Sequence, residues 1–495
     1  MSAASAFGII TFSIIGVCIW MRITGSKLNH PDHPPVVTLS DHDLFERPLE
    51  SYTRALEQNG PVIAVKRKGL MEIIIAEKFA AQVITDDANF SFEQGTAKIL
   101  NIQFVQRMSG GMFLKKVDNM INELVTRRLD SLISQISPIF QRKASELENS
   151  ASPEMPLDLH KYAKDGLAEA TLLAVFGRGF ISNSNLEIII QTAEAIAELT
   201  GMYQNQSMFA RSFPSAWRMA TFVKIMLVRI LFQFGTTMGL AIWSEMSRVL
   251  EHDNLNVVEK EDVSLLVLLV RRYRSRDGAL SISSRLWIIA LLISAVFASV
   301  HQTVTVMVWA LFELALRPDS QDLIHKEIIS MMGKDASNSK GLGIHPQVIR
   351  DANVTDSFIR EAMRMKGDTL GLVRRTTKDV PLGGVVIPKG YPVFPIVSLS
   401  NRSPTYSGES ANEFDGLRWV DNKPAAMSGP GFLTFGLGRW ACPGRFLAIA
   451  EIKMLIFTFL MNIKVEVVGN SYTVIDKLNV TSVPPKGYLK LRRRD

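Results

Sequence analysis

From Leu286 to Phe312 the chain carries no Asp, Glu, Lys or Arg. A run of that kind has two physical homes. About 20 apolar residues cross a bilayer as a helix, and a long helix buried on every side of a large core is apolar on every side as well. The middle of the run reads Ala298-Ser299-Val300-His301-Gln302-Thr303. Polar groups at the centre of a membrane span are costly unless they have a function. A chain of 495 residues, 47% of them hydrophobic, is long enough to build a core of the second kind. Hydropathy leaves both readings open, and motifs further along decide for the buried helix.

A second apolar run lies at the N-terminus. Ser2 to Met21 are uncharged, and Arg22 and Lys27 follow. The length suits a membrane-spanning helix, and positive charge after it places the rest of the chain on the cytosolic side. Neither a positive start nor a small-residue cleavage site is present, as a cleaved signal peptide requires. The expected organisation is an anchor over residues 1–24, a linker stiffened by Pro31, Pro34 and Pro35 over 25–60, and one folded body over 61–495. The localisation that follows is a single-pass membrane protein with its body in the cytosol. Formal net charge is only +7, with no interleaving of aromatic and basic residues, so nucleic acid is not an expected partner. Cys18 lies in the anchor, which leaves Cys442 as the one thiol of the body and excludes a disulfide framework.

Pro61 to Ala76 reads as two strands turning at Lys68-Gly69. Lys78 to Glu313 is mostly helical in period. Short strands are expected at Val373–Thr377, Val385–Ile387, Val393–Ile396, Val465–Val468 and Tyr488–Leu491. The fold class is mostly α with minor β (α+β).

Chemistry concentrates at Phe435-Gly-Leu-Gly-Arg-Trp-Ala-Cys442-Pro-Gly-Arg. Gly436 and Gly438 permit tight turns and close approach of the backbone to a flat ligand. A helical run, Phe446 to Leu460, follows. Cys442 thus stands at a helix N-terminus, where free amides favour a thiolate. A thiolate is also an axial ligand for haem iron.

This segment resembles the cysteine loop of the cytochromes P-450, F-x-x-G-x-R-x-C-x-G. Two further motifs carry the same resemblance. Glu361-Ala-Met-Arg364 matches the family's E-x-x-R, and Phe414-Asp-Gly-Leu-Arg418 matches its F-x-P-x-R segment, with Gly416 in place of Pro. Ala298 to Gln302 aligns with the family's distal A/G-G-x-D/E-T, with His301 for the acid, Gln302 for the alcohol and Thr303 one step later. Trp440 stands where the family usually has an Arg or His that contacts a haem propionate.

The resemblance implies the cytochrome P-450 fold behind an N-terminal transmembrane helix, in the endoplasmic reticulum membrane. It implies haem b with Cys442 as the metal ligand. Phe435, Gly436, Arg439, Trp440, Arg374 and Ala298 become cofactor-binding candidates. Glu361, Arg364 and Arg418 become a structural trio, and Leu370, Leu372 and Val373 the expected pocket wall. Gln302, Thr303 and His301 are candidates for proton delivery, either with Gln302 facing the haem on a regular helix or with Thr303 brought round by a π-bulge. No W-x-x-x-R helix is evident near Phe104–Arg128, where Lys115, Lys116, Arg127 and Arg128 are stand-ins. The implied activity is a monooxygenase acting on a small apolar natural product of terpenoid or polyketide class, with electrons from NADPH through a flavoprotein reductase. Arg439, Arg445 and Lys453 are its candidate contacts. Two rivals remain: a dehydratase or isomerase of the same fold without net oxygenation, and a haem-binding sensor without turnover.

Overall fold

Gly69 sits at φ +74° between two strands that pair in antiparallel register from Val62↔Ile75 to Arg67↔Leu70. This is the hairpin expected at Lys68-Gly69, closed by the buried ion pair of Arg67 with Glu72 at 2.6 Å. The structure is a computed structural model and describes residues 28, 30–67, 69–150, 158–201, 207–254, 263–332, 344–366, 370–474 and 484–494. The expected anchor over 1–24 lies outside the described residues.

Six strands form the main sheet: β1 (Val36–Val37), β2 (Val62–Arg67), β3 (Leu70–Ile75), β4 (Phe90–Ser91), β5 (Arg374–Thr376) and, after a separate hairpin of β6 (Val380–Leu382) with β7 (Val385–Ile387), β8 (Pro392–Pro395). Their order is β1-β2-β3-β8-β5-β4. A last pair joins β9 (Ile463–Val467) to β10 (Leu489–Arg493). The five strands expected from Val373 onward are present to within two residues at each end, the last running from Leu489 to Arg493. Part of the expected linker and entry segment over 25–60 joins the sheet. β1 pairs with β2, and a helix over Pro48–Asn59 buries Tyr52 completely. These residues belong to the body because β1 has its hydrogen-bonding partner there.

The helices that position the site are α1 (Phe92–Ile99), α2 (Phe113–Leu124), α3 (Leu129–Ser150), α4 (Leu159–Phe176), α5 (Asn183–Glu198), α6 (Pro214–Lys224), α7 (Leu240–Asn254), α8 (Leu265–Tyr273), α9 (Ile282–Ala315), α10 (Pro318–Met332), α11 (Asn353–Met365) and α12 (Arg445–Leu460). α9 is the uncharged run. Ser281 caps it, its hydroxyl accepting from the Ser284 amide at 3.1 Å. It packs against α4, α5, α11 and α12, and from Thr303 to Ala315 every residue except Val306 is buried. Burial by protein on all sides of this C-terminal half accounts for its apolar residues, while Ile282 and Leu286 near its start are exposed.

One element departs from the expected helices. Between α6 and α7, Ile225–Gly239 is a π-helix. Its inward side chains, Ile225, Ile230, Phe234 and Met238, are five, four and four residues apart. That spacing is wider than the roughly 3.6 residues of an α-turn and suits an i→i+5 ladder. α9, where a bulge at 301–303 was one of two alternatives, is α-helical over its whole length.

Candidate active site

The cysteine loop closes on itself. The Cys442 amide donates to the Phe435 carbonyl at 2.7 Å, and the Gly436 amide to that of Leu433 at 2.8 Å. Gly436 and Gly438 have φ of +73° and +70°, a region that side chains other than glycine's enter only with strain. A Cβ on Gly438 would also stand 3.0 Å from the Thr85 methyl. α12 starts at Arg445, one residue before the expected Phe446, so Pro443 precedes its first turn. The amides of Gly444 and Arg445 hydrogen-bond to the Cys442 sulfur. Burial nevertheless outweighs them and pushes the thiol above its usual range. The two amides favour the thiolate, as the motif suggests, and burial opposes them. Arg445 turns back to the Cys442 carbonyl at 2.7 Å.

The Glu361–Arg364–Arg418 trio assembles as expected. Arg364 forks onto Glu361 through two bonds of 2.8 Å, and Arg418 Nε reaches Glu361 Oε1 at 3.2 Å. Glu361 and Arg364 are 0% exposed. Glu361 also accepts from the Asp415 amide and from Trp419 Nε1, at 3.0 and 2.9 Å. Burial raises its pKa, but these bonds win and hold the carboxyl below its usual range. Arg364 and Arg418 spend their remaining donors on the carbonyls of Asn401, Glu413, Ser407 and Ser410, so the trio clamps the loops that lead to Cys442. Gly416 has a steric reason: a Cβ there would lie 2.9 Å from the ring of Phe358.

Arg374 is 1% exposed, and its donors reach only carbonyls, Ile84 at 2.9 and 3.2 Å and its own neighbour Val373 at 3.0 Å. Burial lowers its pKa to about 10, so it stays charged at neutral pH. A buried guanidinium without a carboxylate is a place for an anionic group. Leu372 lies 3.9 Å from where a Cβ on Gly436 would stand, beside the cysteine loop. Leu370 differs from expectation. It is wholly buried among Tyr52, Leu56 and Phe394, with Val373 in the same cluster, and so packs the core.

Other expected roles change. Lys453 is 3% exposed, bonded to the Ile349 carbonyl and to Asp356. It ties α12 to α11 and is out of a partner's reach. Arg128 bonds the Val263 carbonyl at 2.8 Å. Arg439 pairs with Asp118 of α2 at 2.7 Å. Asp118 was missed because nothing local marks a residue 321 positions away.

Along α9, Ala298 is exposed and Gln302, on the same stripe, half-buried, although Val296 and Val300 on either side of Ala298 are buried. Thr303 is 5% exposed. Ser299 shares a hydrogen bond of 3.0 Å with Thr171. His301 stacks on Phe297, its Nε2 has no hydrogen-bond partner, and burial lowers its pKa to about 4. It is neutral at pH 7. Among the described residues no group of three or more His, Cys, Asp or Glu is placed to hold a bare metal ion.

Residues 32–491 match the family model described as Cytochrome P450, written here P-450. The chain is similar to cytochrome P-450 monooxygenase paxQ of Penicillium paxilli, 35% identical over 186 residues, and to cytochrome P-450 monooxygenase 3 of Gibberella fujikuroi, 31% identical over 186 residues. These matches take in 34% and 33% of this chain. A longer match, to cytochrome P-450 714C2 of Oryza sativa subsp. japonica, is 23% identical over 382 residues and 76% of this chain. The matches span 34%, 35% and 66% of the three relatives' own lengths.

Proposed function

The chain belongs to the cytochrome P-450 family, and from that premise we propose that it is a membrane-anchored haem-thiolate monooxygenase of fungal secondary-metabolism type, acting on a small apolar natural product. The observation that carries this reading is the closed loop that presents one thiol backed by two amides, with the family's three motifs around it. Haem, when bound, supplies the iron at which dioxygen is reduced and one oxygen atom transferred.

The chain's own residues do the rest. Cys442 would hold the haem iron through its sulfur, which would supply electron density to it. The Gly444 and Arg445 amides hold that sulfur in place. Arg374 offers its fork to a haem carboxylate. Ala298 leaves open space on α9, and the Gln302 amide, with two donors and an acceptor, holds water at the same stripe. His301, neutral and without a hydrogen-bond partner at Nε2, is not the proton donor that the family's acid would be. On this assignment Gln302→Ala releases several-fold more hydrogen peroxide per product formed, and Thr303→Val changes the ratio little. The reverse ranking would move the water to Thr303. Full coupling in both variants would favour the dehydratase or isomerase reading, whose turnover needs no NADPH.

An NADPH-dependent flavoprotein reductase is the proposed electron source. It docks beside the cysteine loop, where a depression of about 410 Å³ is lined by Met427, Leu437, Ala441, Arg445 and Phe446. Incubation with reductase, NADPH and a metabolite extract, read by mass spectrometry, identifies the substrate through a product one oxygen heavier. The absence of NADPH-dependent products across terpenoid and polyketide extracts would remove the substrate proposal.

The membrane is the proposed surroundings, with single-pass insertion in the endoplasmic reticulum and the body in the cytosol. Support comes from Met219, Val223, Leu227, Leu231, Phe232 and Leu240, all exposed along α6, the π-helix and the start of α7. Pro214, at the head of α6, lies over the β2–β3 turn, so close that a Cβ on Gly69 would stand 2.4 Å from it. Leu28 packs on the same sheet, so the chain reaches this side from its N-terminal run. Deleting residues 1–22 should leave a haem-loaded body still partly sedimenting with membranes, and adding Leu231→Glu with Phe232→Glu should release it. A truncated body that is fully soluble without the glutamates would show that the helix face plays no part.

A further inference from the structure

Four side chains from three distant segments stack beside the cysteine loop. The Arg374 guanidinium lies over the Phe92 ring at 5.0 Å, and Phe92 stacks on Trp440 with centroids 4.7 Å apart and planes 19° apart. Arg439 covers the other side of Trp440 at 4.6 Å. The backbone builds this arrangement. β4 pairs with β5, Ser91 opposite Arg375, and α1 begins at the next residue with Ser91 as its cap. The chain therefore turns Phe92 back towards Arg374. Gly95 lets α1 press in, since a Cβ there would stand 3.0 Å from the Arg374 backbone.

We propose that Phe92 and Trp440 form an aromatic lid that closes the carboxylate edge of the haem site over Arg374, replacing a second cation. The inference rests on the haem reading above. Trp440 carries no charge and at most one N–H donor, so it can give a carboxylate one hydrogen bond but no ion pair. Arg439, the adjacent cation, is committed to Asp118, which is 6% exposed. Pulling Arg439 away would leave a buried carboxylate unpaired, which is strongly unfavourable. Arg374 is then a buried cation in contact with the stack, and its attraction to an anion depends on the exclusion of water. A stacked aromatic pair between two guanidinium planes excludes it and adds its own contact energy.

The lid makes haem retention depend on ring stacking and not on salt. Haem loss from the full-length holoprotein to excess apomyoglobin, followed in the Soret region, reads this without any turnover. Trp440→Phe keeps the stack and should stay within about twofold of wild type, while Trp440→His and Phe92→Leu should each lose haem about tenfold faster. Phe92→Tyr should behave as wild type, a rescue that a general folding defect would not produce. Wild-type loss should change little between low salt and about 1 M salt, where exposed ion pairs are screened.

Slower haem loss from Trp440→His would mean that the position wants a cation and would overturn the lid. So would an unchanged rate in Phe92→Leu or a steep salt dependence in wild type. These results leave a thiolate-ligated haem in place and so fall on the lid alone. A wild-type protein that takes up no haem overturns the lid and the proposed function together.

Discussion

Arg364→Ala is expected to abolish recovery of folded, haem-loaded protein. The substitution strips Glu361 of its forked partner in a place with no water, and breaking a buried pair costs about 3–5 kcal/mol. Domains are typically stable by only about 5–15 kcal/mol. The loss extends further, because Arg364 also holds the carbonyls of Asn401 and Glu413 and so the loops before Cys442. Arg418→Ala should act in the same direction with a smaller effect, since its side chain is partly exposed and leaves the Glu361–Arg364 fork intact. The pH dependence has a defined sign. The folded-state pKa of Glu361 lies below its unfolded value, so the carboxylate contributes fully above the unfolded value, near 4, and the contribution is lost as pH falls through the lower one. Acid unfolding followed by circular dichroism should therefore begin at higher pH in Arg364→Lys, which keeps the charge and loses the fork. An Arg364→Ala protein with normal haem content and an altered product pattern would contradict a structural role.

Cys442→Ala is expected to do the opposite, keeping the fold and losing the chemistry. The loop is closed by backbone bonds, Cys442 N to Phe435 O and Gly436 N to Leu433 O, which alanine retains. Removing a partly buried sulfur held only by two backbone amides costs little packing. Thermal unfolding of the apoprotein should shift by about 1 kcal/mol or less, within the ordinary range for point substitutions. Oxygenation should fall to background, because no other described residue is placed to donate sulfur to iron. Retained NADPH-dependent product formation in Cys442→Ala would remove the thiolate from the reaction.

Local chemistry made part of this molecule legible in sequence. The hairpin at Gly69, the glycines at 436 and 438 and the i, i+3 pair of Glu361 with Arg364 all follow from spacing within a few residues. α9 was legible as a buried helix only through the cysteine-loop and E-x-x-R motifs further along, since hydropathy left a bilayer span equally open. Long-range pairing was not. Lys453 follows the cysteine loop and reads as a surface cation, yet Asp356 and the Ile349 carbonyl draw it inside. Arg439 reads as a haem contact until Asp118 is in view. Phe92 sits far upstream in an unremarkable stretch, and only the β4–β5 pairing brings it over Arg374. The π-helix was hidden for another reason. Its apolar residues are dense enough to satisfy an α-period, and only the pattern of burial reveals the wider repeat.

Thiolate ligation is tested most directly by the carbon monoxide difference spectrum of the reduced, purified wild-type protein. Ligation by Cys442 gives a band near the wavelength that names the family, and the band disappears in Cys442→Ala. A wild-type spectrum without that band in a folded, haem-loaded protein, or a band that survives the substitution, would contradict it.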